Sequence, residues 1–152
     1  MKSLLSSNPN AKIVITGHSL GAALATFAAV QIKEEINPPA SQLVFYSFGS
    51  PRTGNEAFTD YVFKLYPNGG YQRVTHYNDV VPHLPPTEFD FNHVGDEVWY
   101  NVDSDTDLTY KVCLNSPGRQ EDLTCSNSIL ATGIDAHLNY MGRPIVGICS
   151  KG

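Results

Sequence analysis

The sequence predicts an α/β fold in which a mostly parallel sheet is flanked by helices. A β-branched run at 12–16 (KIVIT) is typical of a short buried strand. An alanine-rich stretch at 20–36 follows it at once and stops at Pro38-Pro39, which predicts a helix. The same strand–helix pair then occurs a second time and leads into a third strand. This alternation is the pattern of parallel βαβ units.

The remaining predicted elements follow in chain order. The second strand is predicted at 42–48 and a second helix at 55–66, which ends before Pro67-Asn68-Gly69-Gly70. The third strand is predicted at 71–76, and two further strands near 97–102 and 109–113. Because βαβ crossovers are right-handed, the carboxyl ends of the parallel strands should share one edge of the sheet, where ligands bind.

Composition describes one globular domain over residues 1–152, with 41% hydrophobic and 16% charged residues. The formal net charge is −5, and ten Lys and Arg are scattered along the chain, which excludes a nucleic-acid partner. The longest mostly apolar run, 20–32, is too short to span a membrane. The first ten residues, MKSLLSSNPN, lack the apolar core of a signal peptide.

A G-x-S-x-G pentapeptide stands where the first strand meets the first helix, as GHSLG at 17–21. This is the pattern of a nucleophile elbow, in which a strained turn exposes the Ser19 hydroxyl. A Cβ at Gly17 or Gly21 is expected to collide with the strand or the helix. His18 is expected to point elsewhere and to pack or hydrogen-bond locally. The Leu20 amide, at the helix N-terminus, is expected to donate to a developing oxyanion.

A serine nucleophile needs a base that a third group orients. In α/β-hydrolases the chain order is nucleophile, acid, histidine. Asp79 follows the third predicted strand, so it should emerge at the same sheet edge as Ser19 and is the favoured acid. The alternative is that Asn78-Asp79 is only a turn ahead of Pro82.

Five histidines compete for the role of the base. His137 is favoured because it lies beyond the last predicted strand, where a late loop can return to the elbow. His93 is second, and His76 and His83 lie within or between predicted strands. Asp135 is a rival acid for His137, but its separation of two residues gives poor geometry for orienting the ring.

No metal or organic cofactor is predicted. Asp103, Asp105 and Asp107 alternate like the start of a calcium loop, but Leu108 stands where that loop needs glycine and Leu114 where it needs glutamate. A solvated hairpin tip is the expected structure for these aspartates. Zinc-type spacings of Cys and His are also absent from the sequence.

Three cysteines leave one without a partner. Cys113 and Cys125 flank a polar loop, which suits a local disulfide; the alternative is that all three are reduced and buried. Cys149 has no evident partner, unless it once paired with a segment that is absent here.

Five blocks of sequence together resemble the fungal-type class 3 lipases. The blocks are GHSLGAALA, FGSPRTGNEAF, RVTHYNDVVPHLPP, HVGDEVWY and DAHLNYMG, in that order. The resemblance implies an α/β-hydrolase fold with Ser19 as nucleophile, Asp79 as acid, His137 as base and Leu20 as backbone oxyanion donor. His93 and Trp99 match a family motif that we expect to be structural.

The resemblance covers the C-terminal half of the family domain, so we expect a partial domain that lacks the N-terminal strands, the lid and the second oxyanion amide. It implies a secreted serine hydrolase that cleaves acylglycerol esters at a lipid–water interface without a cofactor. The alternatives are a non-catalytic lipase-like fragment, or a phospholipase or feruloyl esterase of the same fold. The family half without a counterpart here is a candidate requirement for activity, and it would hold the partner of Cys149.

Overall fold

The computed structural model describes residues 1–67, 70–104, 106–118 and 121–145. A five-stranded sheet forms the centre, with its strands in the order β1-β2-β3-β4-β5. The first four strands run parallel and β5 is antiparallel to β4. The strands are β1 (Ile13–His18), β2 (Leu43–Phe48), β3 (Tyr71–His76), β4 (Asp96–Tyr100) and β5 (Lys111–Cys113). The helices are α1 (Lys2–Ser7), α2 (Leu20–Glu35) and α3 (Glu56–Leu65). The predicted α/β fold is confirmed.

The parallel register brings the carboxyl ends of β1, β2 and β3 to one edge. His18 pairs with Phe48 at the ends of β1 and β2. The ladder continues past the strands, since Ser19 N donates to Phe48 O at 3.0 Å and Gly49 N donates to Val74 O at 3.0 Å. The residues that follow these strands therefore converge on a single edge, as the sequence predicts.

Small side chains let α2 lie close to the sheet. Ala25 and Ala29 are buried among strand residues, and a larger side chain there would push the helix away from β1 and β2. Asn55 caps α3, because its side chain accepts from Phe58 N at 3.1 Å. The core between helices and sheet consists of Ile15, Ala25, Ala29, Leu43, Phe45, Val62, Tyr66, Tyr71 and Val94.

The second half differs from the prediction in its boundaries. β4 ends at Tyr100 and β5 begins at Lys111, so both strands are shorter than expected. The connection turns on itself because Ser104 Oγ accepts from the amides of Thr106 and Asp107, which competes with strand pairing. Asp103 and Asp107 are exposed there, and Asp105 lies outside the described residues. Helix α1 was not predicted, since six largely polar residues carry little apolar periodicity.

A disulfide anchors the segment after β5. Cys113 and Cys125 are bonded, with 6.3 Å between their Cα atoms, as predicted. They pack against Trp99 and Ile129 in a second small core. Cys149 lies outside the described residues. The chain then forms a 3₁₀ helix at Asp135–Leu138 and the hairpin of β6 (Asn139–Tyr140) and β7 (Arg143–Pro144).

Within the described ranges, none of the helices is both long and apolar enough to cross a membrane.

Candidate active site

Ser19 occupies a strained turn between β1 and α2. Its φ of 57° and ψ of −130° lie where a residue with a side chain is rarely found. The turn is held on both sides, because Ser19 N donates to Phe48 O and Ser19 O accepts from Ala22 N at 2.9 Å. Strain of this kind is retained where the surrounding structure enforces it, and it clusters at functional sites.

The two glycines that flank the serine differ in what they require. A Cβ on Gly17 would lie 2.2 Å from the backbone oxygen of Gly21, so the expectation of a collision is correct there. A Cβ on Gly21 would meet nothing within 4 Å among the described residues, so the same expectation is wrong for Gly21. The reason is that Gly21 is exposed in the first turn of α2, with its free side toward solvent.

Asp79 is buried and accepts three hydrogen bonds. Only 2% of it is exposed. Its Oδ1 accepts from Val81 N at 2.8 Å, and its Oδ2 accepts from His137 Nδ1 at 2.8 Å and from the Tyr140 hydroxyl. Backbone hydrogen bonds to Gly133 tie the Asp79 loop to the segment that carries His137. Asp79 therefore stabilises its own turn through Val81 N and also binds the His137 ring.

His137 lies in the 3₁₀ helix and faces Asp79 with one ring nitrogen. A carboxylate can only accept, so Nδ1 carries the proton and Nε2 is left as an acceptor in the neutral ring. The Ser19 hydroxyl has no hydrogen bond to His137 within the described residues. The two are linked through His18, whose ring contacts the His137 ring at a tilt of 32° and a centroid separation of 4.4 Å. The hydrogen bond between a catalytic serine and its histidine is often long or absent without a bound substrate.

His18 packs against neighbouring rings, but its hydrogen bond is not local, so that part of the expectation is wrong. Its Nε2 donates to the main-chain oxygen of His137 at 3.0 Å, across 119 positions of sequence. Burial, and then the charge of His137, lower the pKa of His18. The end of β1 is thus in direct contact with the histidine-bearing segment.

Two residues beside Asp79 are not predicted from the sequence. The Tyr140 hydroxyl donates to Asp79, and burial together with the nearby carboxylate raises the pKa of Tyr140 well above its ordinary value. Gly49 has a φ of 53°, and a Cβ there would lie 2.7–3.0 Å from Tyr140, Asp79 and His137. The only sequence signal for Gly49 is a glycine directly after a strand that ends at the serine edge.

The competing candidates are engaged in other contacts or exposed. His93 is buried, and its Nε2 donates to Pro82 O at 2.7 Å, while burial lowers the pKa of His93 to about 3. His76 Nδ1 donates to Ala136 O at 3.1 Å. Asp135 is exposed. Trp99 Nε1 donates to Tyr77 O at 2.9 Å, which fits the structural role expected for it.

No cluster of three or more His, Cys, Asp or Glu in the described part of the chain is placed to hold a metal ion.

The family profile and the relatives that match this chain all belong to lipases. The profile of the family "Lipase (class 3)" matches residues 1–89. A lipase from Rhizomucor miehei is 38% identical over 144 residues, which cover 93% of this chain and 38% of the relative. The secreted mono- and diacylglycerol lipase 1 of Fusarium solani is 36% identical over 138 residues, covering 88% of this chain and 38% of the relative.

Solved structures agree with the sequence comparison. The lipase from Rhizopus microsporus var. chinensis superposes with a TM-score of 0.82 at 35% identity, over 94% of this chain and 48% of that one. A triacylglycerol lipase whose catalytic centre is a serine protease triad gives a TM-score of 0.81 at 37% identity, over 94% of this chain and 52% of that one. The chain thus spans about half the length of these structures and 38% of the two sequence relatives. Its sheet is that of an α/β-hydrolase, and the chain belongs to the class 3 lipase family.

Proposed function

We propose that the chain carries the catalytic triad of a serine ester hydrolase of the lipase type, with Ser19 as nucleophile, His137 as base and Asp79 as acid. The observation that carries the proposal is the 2.8 Å hydrogen bond between Asp79 Oδ2 and His137 Nδ1, both buried. This pair lies at the sheet edge where β1 ends in the strained Ser19 turn. A nucleophile, a base and a group that orients the base are the parts that acyl transfer needs.

The reaction follows from these positions. Ser19 Oγ attacks the ester carbonyl while His137 Nε2 takes the hydroxyl proton, and the imidazolium then gives that proton to the departing alcohol. Asp79 keeps the proton on Nδ1 and stabilises the imidazolium. Water hydrolyses the acyl-enzyme by the same steps, with His137 again as base.

Leu20 supplies an oxyanion donor. It is the first residue of α2, and the first N–H groups of a helix have no intrahelical acceptor. Its amide follows the nucleophile directly, and the helix N-terminus favours negative charge. An oxyanion donor of this kind contributes roughly a hundred- to a thousand-fold to the rate.

Acylglycerols are the substrate class that we favour. The Fusarium solani relative is a secreted mono- and diacylglycerol lipase, and apolar side chains are exposed beside the serine, with Leu20 69% and Leu24 61% exposed. An apolar surface there suits acyl chains presented at a lipid–water interface. Secretion is supported by the name of that relative and by the Cys113–Cys125 disulfide.

Hydrolysis by the purified chain tests the proposal. Emulsified mono-, di- and triacylglycerols and a phospholipid would be supplied, with fatty acid release titrated beside Ser19→Ala. We expect release from acylglycerols by the wild type and none by the variant. Release that persists in Ser19→Ala, or that is confined to the phospholipid, would contradict the proposal.

A further inference from the structure

We propose that His18 is a positioning residue for His137, holding the catalytic histidine through one hydrogen bond to its main-chain oxygen and one contact with its ring. This inference rests on the proposed function, because it assigns a role relative to the base of that triad.

His18 makes two contacts with His137. His18 Nε2 lies 3.0 Å from the main-chain oxygen of His137, and the two imidazoles are 4.4 Å apart with an interplanar angle of 32°. The Tyr140 ring meets the His18 ring edge-on at 5.4 Å. The ring of His137 is thus confined by His18 on one side and bonded to Asp79 at Nδ1. Such confinement leaves the imidazole few alternative orientations.

The hydrogen bond fixes the tautomer of His18. A carbonyl oxygen can only accept, so the proton must be on Nε2 of the neutral ring. That atom is the one whose position a glutamine amide nitrogen reproduces, whereas a phenylalanine keeps the ring and loses the donor. The two substitutions therefore separate the hydrogen bond from the ring contact.

The charge state of His18 suits this role. His137, Asp79 and Tyr140 are the titratable groups that face it within the described residues. Burial and then His137 lower the pKa of His18, while its hydrogen bond to the His137 carbonyl and the charge of Asp79 act the other way. A neutral His18 leaves the positive charge to His137 when the base accepts a proton. A cationic His18 would oppose that step.

A second histidine repeats the arrangement one residue earlier. His76, at the end of β3, donates from Nδ1 to the main-chain oxygen of Ala136 at 3.1 Å. The ends of β1 and β3 thus hold two successive carbonyls of the segment that bears His137. Of the two histidines, His18 is the one whose ring also contacts the His137 imidazole, which distinguishes it as the positioning residue.

The test uses the full chain as wild type, His18→Gln and His18→Phe, with Thr16→Ala as the control at an exposed position of the same strand. The first readout is the far-downfield proton NMR signal of His137 Nδ1–H, with the His18 tautomer assigned from ring nitrogen shifts. The second is the rate at which a fluorophosphonate labels Ser19. Circular dichroism establishes that each variant is folded.

We expect an Nε2–H tautomer at His18, a downfield signal that His18→Gln keeps and His18→Phe loses, and labelling of His18→Phe about 10- to 100-fold slower than wild type. His18→Gln should label faster than His18→Phe, and Thr16→Ala should match the wild type. An Nδ1–H tautomer in the wild type, or an unchanged downfield signal in His18→Phe, would overturn the inference. Failure of the proposed function would be recognised separately, because the wild type would then take no fluorophosphonate label. The NMR results would still decide the role of His18 in that case.

Discussion

Gly49 is the residue whose substitution should disturb the proposed triad most directly without removing any of its side chains. It follows β2 with a φ of 53°, and a Cβ there would lie 2.7 Å from Tyr140 Oη, 2.9 Å from Asp79 Oδ2 and 3.0 Å from His137 Nδ1. All three atoms belong to the hydrogen bonds around the Asp79 carboxylate. An added methyl group must therefore displace at least one of them.

Gly49→Ala should slow fluorophosphonate labelling of Ser19 by about 10-fold or more, because small displacements of a base are costly. Gly118→Ala is the matched control. Gly118 also has a positive φ, of 67°, but an added Cβ there meets nothing within 4 Å of the described residues. Both variants carry backbone strain of roughly 1–2 kcal/mol. Equal labelling rates in the two variants would show that the contacts of Gly49 do not matter.

The sequence predicts only some of the residues of the candidate site. Ser19, Asp79 and His137 could be proposed because a short motif and the order of strands locate them. Gly49, Tyr140 and the partner of His18 could not, since their contacts join residues far apart in sequence, 119 positions in the case of His18. Long-range contacts of this kind leave no local pattern.

The elbow is the element whose geometry depends most on glycine. Gly17→Ala would bring a Cβ to 2.2 Å from the Gly21 carbonyl oxygen, a backbone atom that cannot rotate away. Gly21→Ala introduces no contact within 4 Å of the described residues. The two substitutions add the same methyl group four residues apart.

Gly17→Ala should lower the free energy of unfolding by about 1–3 kcal/mol, as overpacking does. Gly21→Ala should leave it unchanged or raise it by up to about 1 kcal/mol, because alanine favours a helix. Urea denaturation of both variants beside the wild type measures this. Similar losses in the two would show that the elbow does not have the described geometry.

A buried ion pair fixes Glu121, which lies between the two cysteines of the disulfide. Arg52 donates from Nε and Nη2 to the two carboxylate oxygens of Glu121, each at 2.8 Å, and both residues are buried. Glu121 also accepts from His93 N at 2.9 Å and from Asn127. Burial alone would raise the pKa of Glu121, but charged neighbours and the Arg52 hydrogen bonds hold it below its ordinary value.

Removing one member of this pair should be costly. Arg52→Gln or Glu121→Gln is expected to lower the free energy of unfolding by about 3–5 kcal/mol, since the remaining charge stays buried without its partner. Glu34→Gln, which removes the charge of an exposed residue that accepts from Tyr61, should cost less than about 1 kcal/mol. Thermal and urea unfolding measure both. Equal effects at the two sites would contradict a buried pair.

Local sequence patterns predict the helices and strands better than they predict strand ends or long-range contacts. Strand β1 follows from a β-branched run, helices α2 and α3 from their stop signals, and strands β2 and β3 from the segments that come after those stops; the structure confirms all five. The ends of β4 and β5 were misjudged because Ser104 forms a side-chain turn that competes with pairing. The Arg52–Glu121 pair spans 69 positions, so the sequence gives no sign of it.

Stability of the whole molecule should depend on pH through His93. Burial lowers the pKa of His93 from 6.5 to about 3, so below pH 6.5 the unfolded chain binds a proton that the folded chain excludes. The free energy of unfolding should therefore fall as the pH falls from 6.5 towards 3, by roughly 1 kcal/mol per pH unit. Above pH 6.5 this residue makes no pH-dependent contribution.

His93→Gln keeps a side-chain donor and removes the titration. Urea unfolding between about pH 7.5 and pH 4.5 should give a shallower fall for this variant than for the wild type. Parallel pH profiles in the two proteins would show that His93 does not titrate as its burial indicates.

We propose above that Ser19, His137 and Asp79 act together as a hydrolytic triad in this chain. The most direct measurement is the intact mass after incubation with a fluorophosphonate, for the wild type beside Ser19→Ala and His137→Gln. We expect a single adduct in the wild type, none in Ser19→Ala and strongly slowed labelling in His137→Gln. A folded wild type without an adduct, or an adduct that survives Ser19→Ala, would contradict it.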